Sequence, residues 1–163
     1  MIESNKKSQQ PSASNEPELA LFFRLDSYVF GTPLGKVREV IPVGACTRLP
    51  NTVPCFLGMM NIRGEAVGIL DLRLRFGLPS QLGPKCLIIV FETDAGPFGS
   101  LVDEVVEVAE IAVQSDQRSS YVPIIPEDYV LQVTVRDEKP TTIIDLRRVL
   151  SSEELRALRT NAA

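Results

Sequence analysis

Two ordered stretches of this chain each occur twice. Phe30-Gly31, five residues and then Val37-x-Glu39-Val40 returns as Phe98-Gly99, five residues and then Val105-x-Glu107-Val108. Farther along, Ile69-Leu70-Asp71-Leu72-Arg73 returns as Ile143-Ile144-Asp145-Leu146-Arg147. The first match is offset by 68 residues and the second by 74, in the same order along the chain. Duplication of one small unit, with a short insertion in one copy, leaves this trace. Two copies are too few to stack as a solenoid, so the chain should fold as a pair of similar subdomains packed into one body.

Within each unit the hydrophobic pattern has the period of a strand. Leu19, Leu21, Phe23 and Leu25 alternate with Ala20, Phe22, Arg24 and Asp26, and Tyr129, Leu131, Val133 and Val135 alternate with their neighbours in the same way. Residues 58–62 and 66–72 read as a hairpin turning at Arg63-Gly64-Glu65. The unbroken apolar run of residues 86–91 has strand length and predicts burial on both faces. Twelve prolines and ten glycines punctuate these runs, as many short strands require. Each unit therefore reads as about five short strands, the size of a small barrel, with contacts mainly between neighbouring strands and an apolar seam between the units. Residues 77–84 form the joint. The polar residues 1–18 predict a disordered tail, 114–120 a polar loop, and Ser151 with Glu154 a capping box opening a helix over 151–163, docked by Leu155 and Leu158.

The composition removes several classes of function. A net charge of −4 with no basic cluster cannot neutralise a row of phosphates, which argues against nucleic acid. No apolar run approaches the roughly 20 residues of a membrane span, and the N-terminus lacks the apolar stretch of a signal peptide. Cys46, Cys55 and Cys86 are odd in number and lack metal-type spacing, so they read as reduced thiols of a cytoplasmic protein. There is no histidine, hence neither the commonest general base near neutral pH nor the commonest metal ligand. Phosphate loops, nucleophile elbows and dinucleotide fingerprints are missing as well. Glu39, Asp71, Asp103 and Asp145 are the carboxylates available for acid–base chemistry. Asp71 and Asp145, however, precede Leu-Arg at matching places and look like repeated turn or strand-end residues. The chain reads as a binding protein, not an enzyme, with no cofactor and no metal.

Few features stand out as contacts. Arg63 sits at a hairpin tip beside Gly64, where an arginine has no packing role and can reach outward. Glu39 lies in an apolar run and either faces water or pairs with a cation, Arg38 or Arg63. Met59-Met60 suits an adaptable surface but equally a core. The seam between two barrels is a natural groove for the apolar stripe of a partner helix.

Val37-Arg38-Glu39-Val40-Ile41, Leu49-Pro50-Asn51-Thr52, Gly58-Met59-Met60-Asn61-Ile62-Arg63-Gly64 and Asp71-Leu72-Arg73 together resemble the CheW family of bacterial chemotaxis coupling proteins. The match continues in the second unit and covers about residues 19–150, with Gly-x-x-Asn-x-Arg-Gly its most specific part. The resemblance implies an all-β fold of two intertwined, pseudo-repeated five-stranded SH3-like barrels on a hydrophobic seam, with a short C-terminal helix. It implies a non-enzymatic adaptor in the cytoplasm, recruited to receptor arrays, that joins the cytoplasmic tips of chemoreceptors to the regulatory domain of the histidine kinase CheA. Carried over by position, Val37, Glu39, Gly58, Asn61, Arg63 and Gly64 match the first-half partner-binding segment. Leu87, Gly99, Val105 and Val108 match seam positions expected to face a receptor helix.

The chain departs from the family pattern at two places. Gln132 stands where a second-half glycine is usual, and the internal alignment sets it opposite Gly58. A strand glycine often permits close backbone approach, and a glutamine fills that space. Gly68 stands where a proline is common. The Gln132 departure suggests that first-half contacts survive while a second-half contact with the kinase is weakened. The rival readings are a ligand- or nucleic-acid-binding β-barrel, an adaptor that binds receptor or kinase but does not bridge them, and the regulatory end of a kinase. The third is disfavoured because the chain carries its own tail and capped last helix.

Overall fold

The structure is a computed structural model and describes residues 16–112 and 125–161. Ten strands form two five-stranded sheets. The first unit supplies β1 (Leu19–Leu25), β2 (Tyr28–Pro33), β3 (Val37–Pro42), β4 (Phe56–Ile62) and β5 (Glu65–Asp71). The second supplies β6 (Leu87–Thr93), β7 (Gly96–Val102), β8 (Glu104–Glu110), β9 (Val130–Arg136) and β10 (Lys139–Ile144). A single helical turn, α1 (Leu72–Arg75), follows β5, and α2 (Ser152–Asn161) ends the described chain. The expected tail lies mostly outside the described residues, and the 114–120 loop and the Leu158 side chain lie wholly outside them.

Neither sheet is built from one contiguous unit, which corrects the picture drawn from local pattern alone. The first sheet runs β8-β1-β2-β10-β9 and the second β3-β6-β7-β5-β4. Replacing each strand of the first order by its repeat counterpart yields the second order. The two units have thus exchanged strands about a pseudo-twofold. The exchange is sealed by the parallel pairs β2–β10 and β5–β7, and every other strand pair is antiparallel.

Period-2 alternation sends each strand's two faces into different cores. From β1, Leu21, Phe23 and Leu25 enter a shared core with Phe30, Phe56, Leu70, Phe98 and Ile144, which is the apolar seam between the sheets. Ala20 and Phe22 point the other way, into a small core that the first sheet keeps for itself with Ile111 and Ile143. The run at 86–91 is buried on both faces as predicted. Ile89 and Phe91 join the seam, while Ile88 and Val90 join Val67, Ile69 and Leu101 in the second sheet's own core.

The repeated Phe-Gly has a packing cause. A Cβ on Gly31 would lie 2.5 Å from Ile143 Cδ1, and one on Gly99 would lie 2.7 Å from Ile69 Cδ1. Each duplicated glycine makes room for the duplicated isoleucine of the parallel strand beside it. Gly68 serves Phe98 similarly, since a Cβ there would sit 2.7 Å from Phe98 Cε1.

Candidate functional site

The hairpin between β4 and β5 turns in two residues. Arg63 (φ 53) and Gly64 (φ 85) both take positive φ, as a type I′ turn requires. Asn61 closes it by accepting a hydrogen bond from the Gly64 amide through Oδ1 at 2.9 Å. Asn61 thus has a structural task beside any partner contact, and Gly64 is dictated by the turn.

From this tip Arg63 Nη2 reaches Glu39 Oε2 on the edge strand β3 at 2.9 Å. The arginine side chain is 78% exposed and the glutamate 16%. Glu39 Oε1 is buried without a hydrogen-bond partner. Arg38 pairs instead with Glu65 and Glu92, at 2.9 and 3.1 Å. Val37, half-buried, packs against the seam core. Of the alternatives for Glu39, Arg63 is the partner, and together they present a solvent-facing guanidinium beside a carboxylate with unused acceptor capacity.

The second unit pairs its glutamate with an arginine from a different position, since the 74-residue offset sets Asp137, not Arg136, opposite Arg63. Glu107, the counterpart of Glu39, accepts from Arg136 at the end of β9, at 2.7 Å. Arg136 also lies over the Phe22 ring, 5.3 Å from its centroid, so the sheet holds it down. The turn there is Asp137-Glu138 (φ 50 and 63). One hairpin tip is cationic and its counterpart acidic.

Gly58 and Gln132 are structurally equivalent, because each pairs with the repeated isoleucine just past a bulge: Gly58 with Ile69 and Gln132 with Ile143. Gly58 has φ 142, and a Cβ there would collide with the Thr47 carbonyl. Residues 43–55 fold back over β4, and Thr47 and Met59 exchange two backbone hydrogen bonds of 2.8 Å. The glycine is required by this crossing. Gly58 is itself buried.

At the seam, Leu87 and Val105 line one cleft of about 300 Å³ with Pro84, Lys85, Cys86 and Glu104. Lys85 and Glu104 span its walls at 3.3 Å. Val108 lies farther along β8 and is exposed. Gly99 does not face outward: it is buried in β7 against Ile88 and Ile69, so its glycine is a packing requirement. The structure therefore brings together Leu87 and Val105, and separately Glu39, Asn61, Arg63 and Gly64. β5 starts at the hairpin tip and runs about 20 Å toward α1.

Pattern reading missed a buried ionic cluster around Arg73, whose side chain is 1% exposed. Asp71 caps α1 by accepting from the Arg73 amide at 3.0 Å and binds the same guanidinium twice, at 2.9 and 3.0 Å. Ser80 donates its hydroxyl to Asp71. Arg73 Nη1 also donates to the Gln81 carbonyl at 2.5 Å and to Asp103 at 2.7 Å. Asp103 in turn accepts from the Asp26 amide at 2.6 Å. Burial pushes the Asp71 carboxyl up, but hydrogen bonds from Arg73 and Ser80 outweigh it and hold it below its usual range. Burial likewise works against charge on Arg73, yet Asp71 and then Asp103 raise it further above its already high value. The readable signal was Asp-x-Arg at a strand end, but its third member is 30 residues away. In the second unit Asp145 and Arg147 repeat the cap and the pair at 3.0 Å. Gly35 stands where Asp103 would be, and Arg147 is 43% exposed.

A family model described as "CheW-like domain" matches residues 19–154. The chain is 29% identical over 145 residues to the chemotaxis protein CheW of Klebsiella aerogenes, covering 88% of this chain and 87% of that protein. It is 33% identical over 105 residues to the protein FrzA of Myxococcus xanthus, covering 63% and 65%. The crystal structure of the scaffolding protein TtCheW from Thermoanaerobacter tengcongensis superposes with a TM-score of 0.74 at 26% identity, covering 89% of this chain and 95% of that one. Two interleaved five-stranded sheets and this match over most of the chain lead to one assignment: the chain belongs to the CheW-like domain family of non-enzymatic chemotaxis scaffolding proteins.

Proposed function

We propose that this chain couples the cytoplasmic tip of a chemoreceptor to the regulatory domain of a CheA-type histidine kinase, in the cytoplasm and at receptor arrays. The observation that carries the reading is the presence of two built surfaces of different chemistry on one stiff body. The first is the Glu39–Arg63 pair at a hairpin tip, suited to polar recognition by the kinase domain. The second is the cleft between the sheets lined by Leu87 and Val105, suited to the apolar stripe of a receptor helix. Holding two partners in fixed relative geometry converts a shift of the receptor tip into a coupling free energy at the kinase. Calorimetric titration with each partner tests this. Binding to both, and to both at once, supports coupling, whereas failure to bind either overturns it.

A second reading, an adaptor that binds one partner and does not bridge, is favoured by Gln132 at the position equivalent to Gly58. On that reading a second-half contact with the kinase is weakened, and Gln132→Gly should strengthen kinase binding. Unchanged kinase affinity in that variant refutes it.

A further inference from the structure

The Leu87–Val105 cleft is assembled from segments that no strand pair joins at its mouth. One wall, residues 84–87, ends the joint between the units and opens β6 in the second sheet. The other, Glu104 and Val105, opens β8 in the first sheet. A single buried guanidinium grips the chain on both sides just short of the cleft. Arg73 Nη1 binds the Gln81 carbonyl, three residues before one wall, and the Asp103 carboxylate, one residue before the other. The remaining guanidinium nitrogens are fixed on Asp71. Asp103 carries the grip onward to the β1–β2 turn through the Asp26 amide. At the rim, Glu104 is held by Arg24 at 2.7 Å and by Lys85 at 3.3 Å.

The duplication supplies an internal comparison. Arg147 makes the same local pair with Asp145, but its Asp103 counterpart is Gly35, and among the described residues it hydrogen-bonds no distant carboxylate, with Asp94 acting on it only through space. Its side chain instead borders an open cleft of about 780 Å³ beside α2. Capping a strand end therefore needs only the Asp–Arg pair. The contacts to Gln81 and Asp103 are additional, and they occur in the unit whose arginine lies next to the seam cleft.

We propose that Arg73 is a positioning residue that sets the spacing between the two walls of the Leu87–Val105 cleft, and hence the affinity for the helix that docks there. The proposal rests on the reading of this cleft as the receptor site. Arg73 does not itself touch the partner. A buried arginine suits the task because its planar fork fixes several acceptors at once, and the hydrogen bonds stay strong away from water.

Arg73→Gln would leave Asp71 buried and unpaired and is at risk of not folding. The informative variant is Asp103→Asn, which keeps the Asp71–Arg73 pair and weakens the hold on the second wall together with its tie to the Asp26 amide. In the folded variant the amide resonances of Leu87 and Val105 should shift while those of Arg63 and Gly64 stay in place. Receptor-tip affinity should fall about tenfold, within the usual range of coupling effects, with kinase-domain affinity unchanged. Equal losses for both partners, or unmoved Leu87 and Val105 resonances with wild-type receptor affinity, overturn the proposal. If the unmodified protein binds no receptor tip, the functional reading fails, while the resonances alone still decide whether Arg73 holds the cleft.

Discussion

Gly58 gives the sharpest separation of a structural residue from a contact residue. In Gly58→Ala the new methyl would collide with the Thr47 carbonyl, a backbone atom fixed in two hydrogen bonds with Met59. It would also sit at φ 142, a region that L side chains rarely adopt. Either residues 43–55 lift off β4 and two backbone hydrogen bonds are lost, or the strain is retained. Two hydrogen bonds contribute about 0.5–1.5 kcal/mol each, and backbone strain of this kind costs about 1–3 kcal/mol. The expected loss by either route is about 2 kcal/mol, a substantial part of the roughly 5–15 kcal/mol of a typical domain. In urea, with a slope of about 1–3 kcal/mol per molar, the midpoint should drop by about 1–2 M. Hydrogen exchange locates the damage: the Thr47 and Met59 amides should lose protection while β6 and β7 keep theirs. A variant with the parental midpoint and protected Thr47 and Met59 amides would refute the reasoning. Any loss of partner binding in Gly58→Ala then reflects a displaced 43–55 excursion, not a lost contact.

Arg63→Ala should behave in the opposite way, because the arginine's side of the pair with Glu39 is 78% exposed and packs on nothing in the core, and a pair open to water on one side is worth about 1 kcal/mol or less. Its midpoint should stay near that of the parent while kinase-domain binding weakens, and an unfolded variant would mark Arg63 as structural. Acid should destabilise the protein through Asp71, Asp145 and Glu154, whose folded carboxyls lie below their ordinary values: burial pushes each up, and arginine hydrogen bonds more than reverse it. The unfolded chain takes up these protons first, so their stabilisation is complete above about pH 5 and is lost as pH falls through about 4 and below. In Asp71→Asn the acid-dependent part of the unfolding free energy should be smaller, and an identical pH profile would count against the buried pair. Arg75→Ala removes a bidentate contact to Glu154, at 2.8 and 3.1 Å, and should release α2 at a cost of about 1.5–3 kcal/mol, seen as faster exchange of the α2 amides with the sheets unaffected.

The sequence was most legible where structure is local. Alternation placed β1 and β9, the run at 86–91 identified a strand buried on both faces, and Arg63-Gly64 marked a two-residue turn. Ser151 and Glu154 form the predicted capping box, exchanging hydrogen bonds of 2.7 and 3.1 Å. The strand exchange was not legible from pattern, because β2–β10 and β5–β7 join residues far apart in sequence through backbone groups that every residue possesses. The duplicated Phe-Gly and Ile-x-Asp-Leu-Arg did carry that information, but only as a steric pair: the glycine of one repeat leaves room for the isoleucine of the other. Gly99, which the family resemblance sets at the seam facing a receptor helix, is buried against Ile88 and Ile69, and a glycine looks alike in sequence whether it admits a partner or a neighbouring side chain.

Interleaving also bears on how such a body could carry a signal. In two barrels joined by a linker, a push on one would be absorbed by rotation about the joint. Here each sheet contains strands of both units, so hinge motion between the units would have to shear the parallel pairs β2–β10 and β5–β7, and motion between the sheets would have to open the shared core around Phe23, Phe30 and Phe98. Close-packed cores transmit displacement because they cannot deform continuously. The divergence between the copies is concentrated at the periphery: Arg63 in solvent against Arg136 stacked on Phe22, and Arg73 bridging two segments against Arg147 facing an open cleft. A duplicated frame that is stiff at its centre and different at its edges would hold two unlike partners at a fixed separation, and on the proposed coupling role that separation is what would pass from one partner to the other.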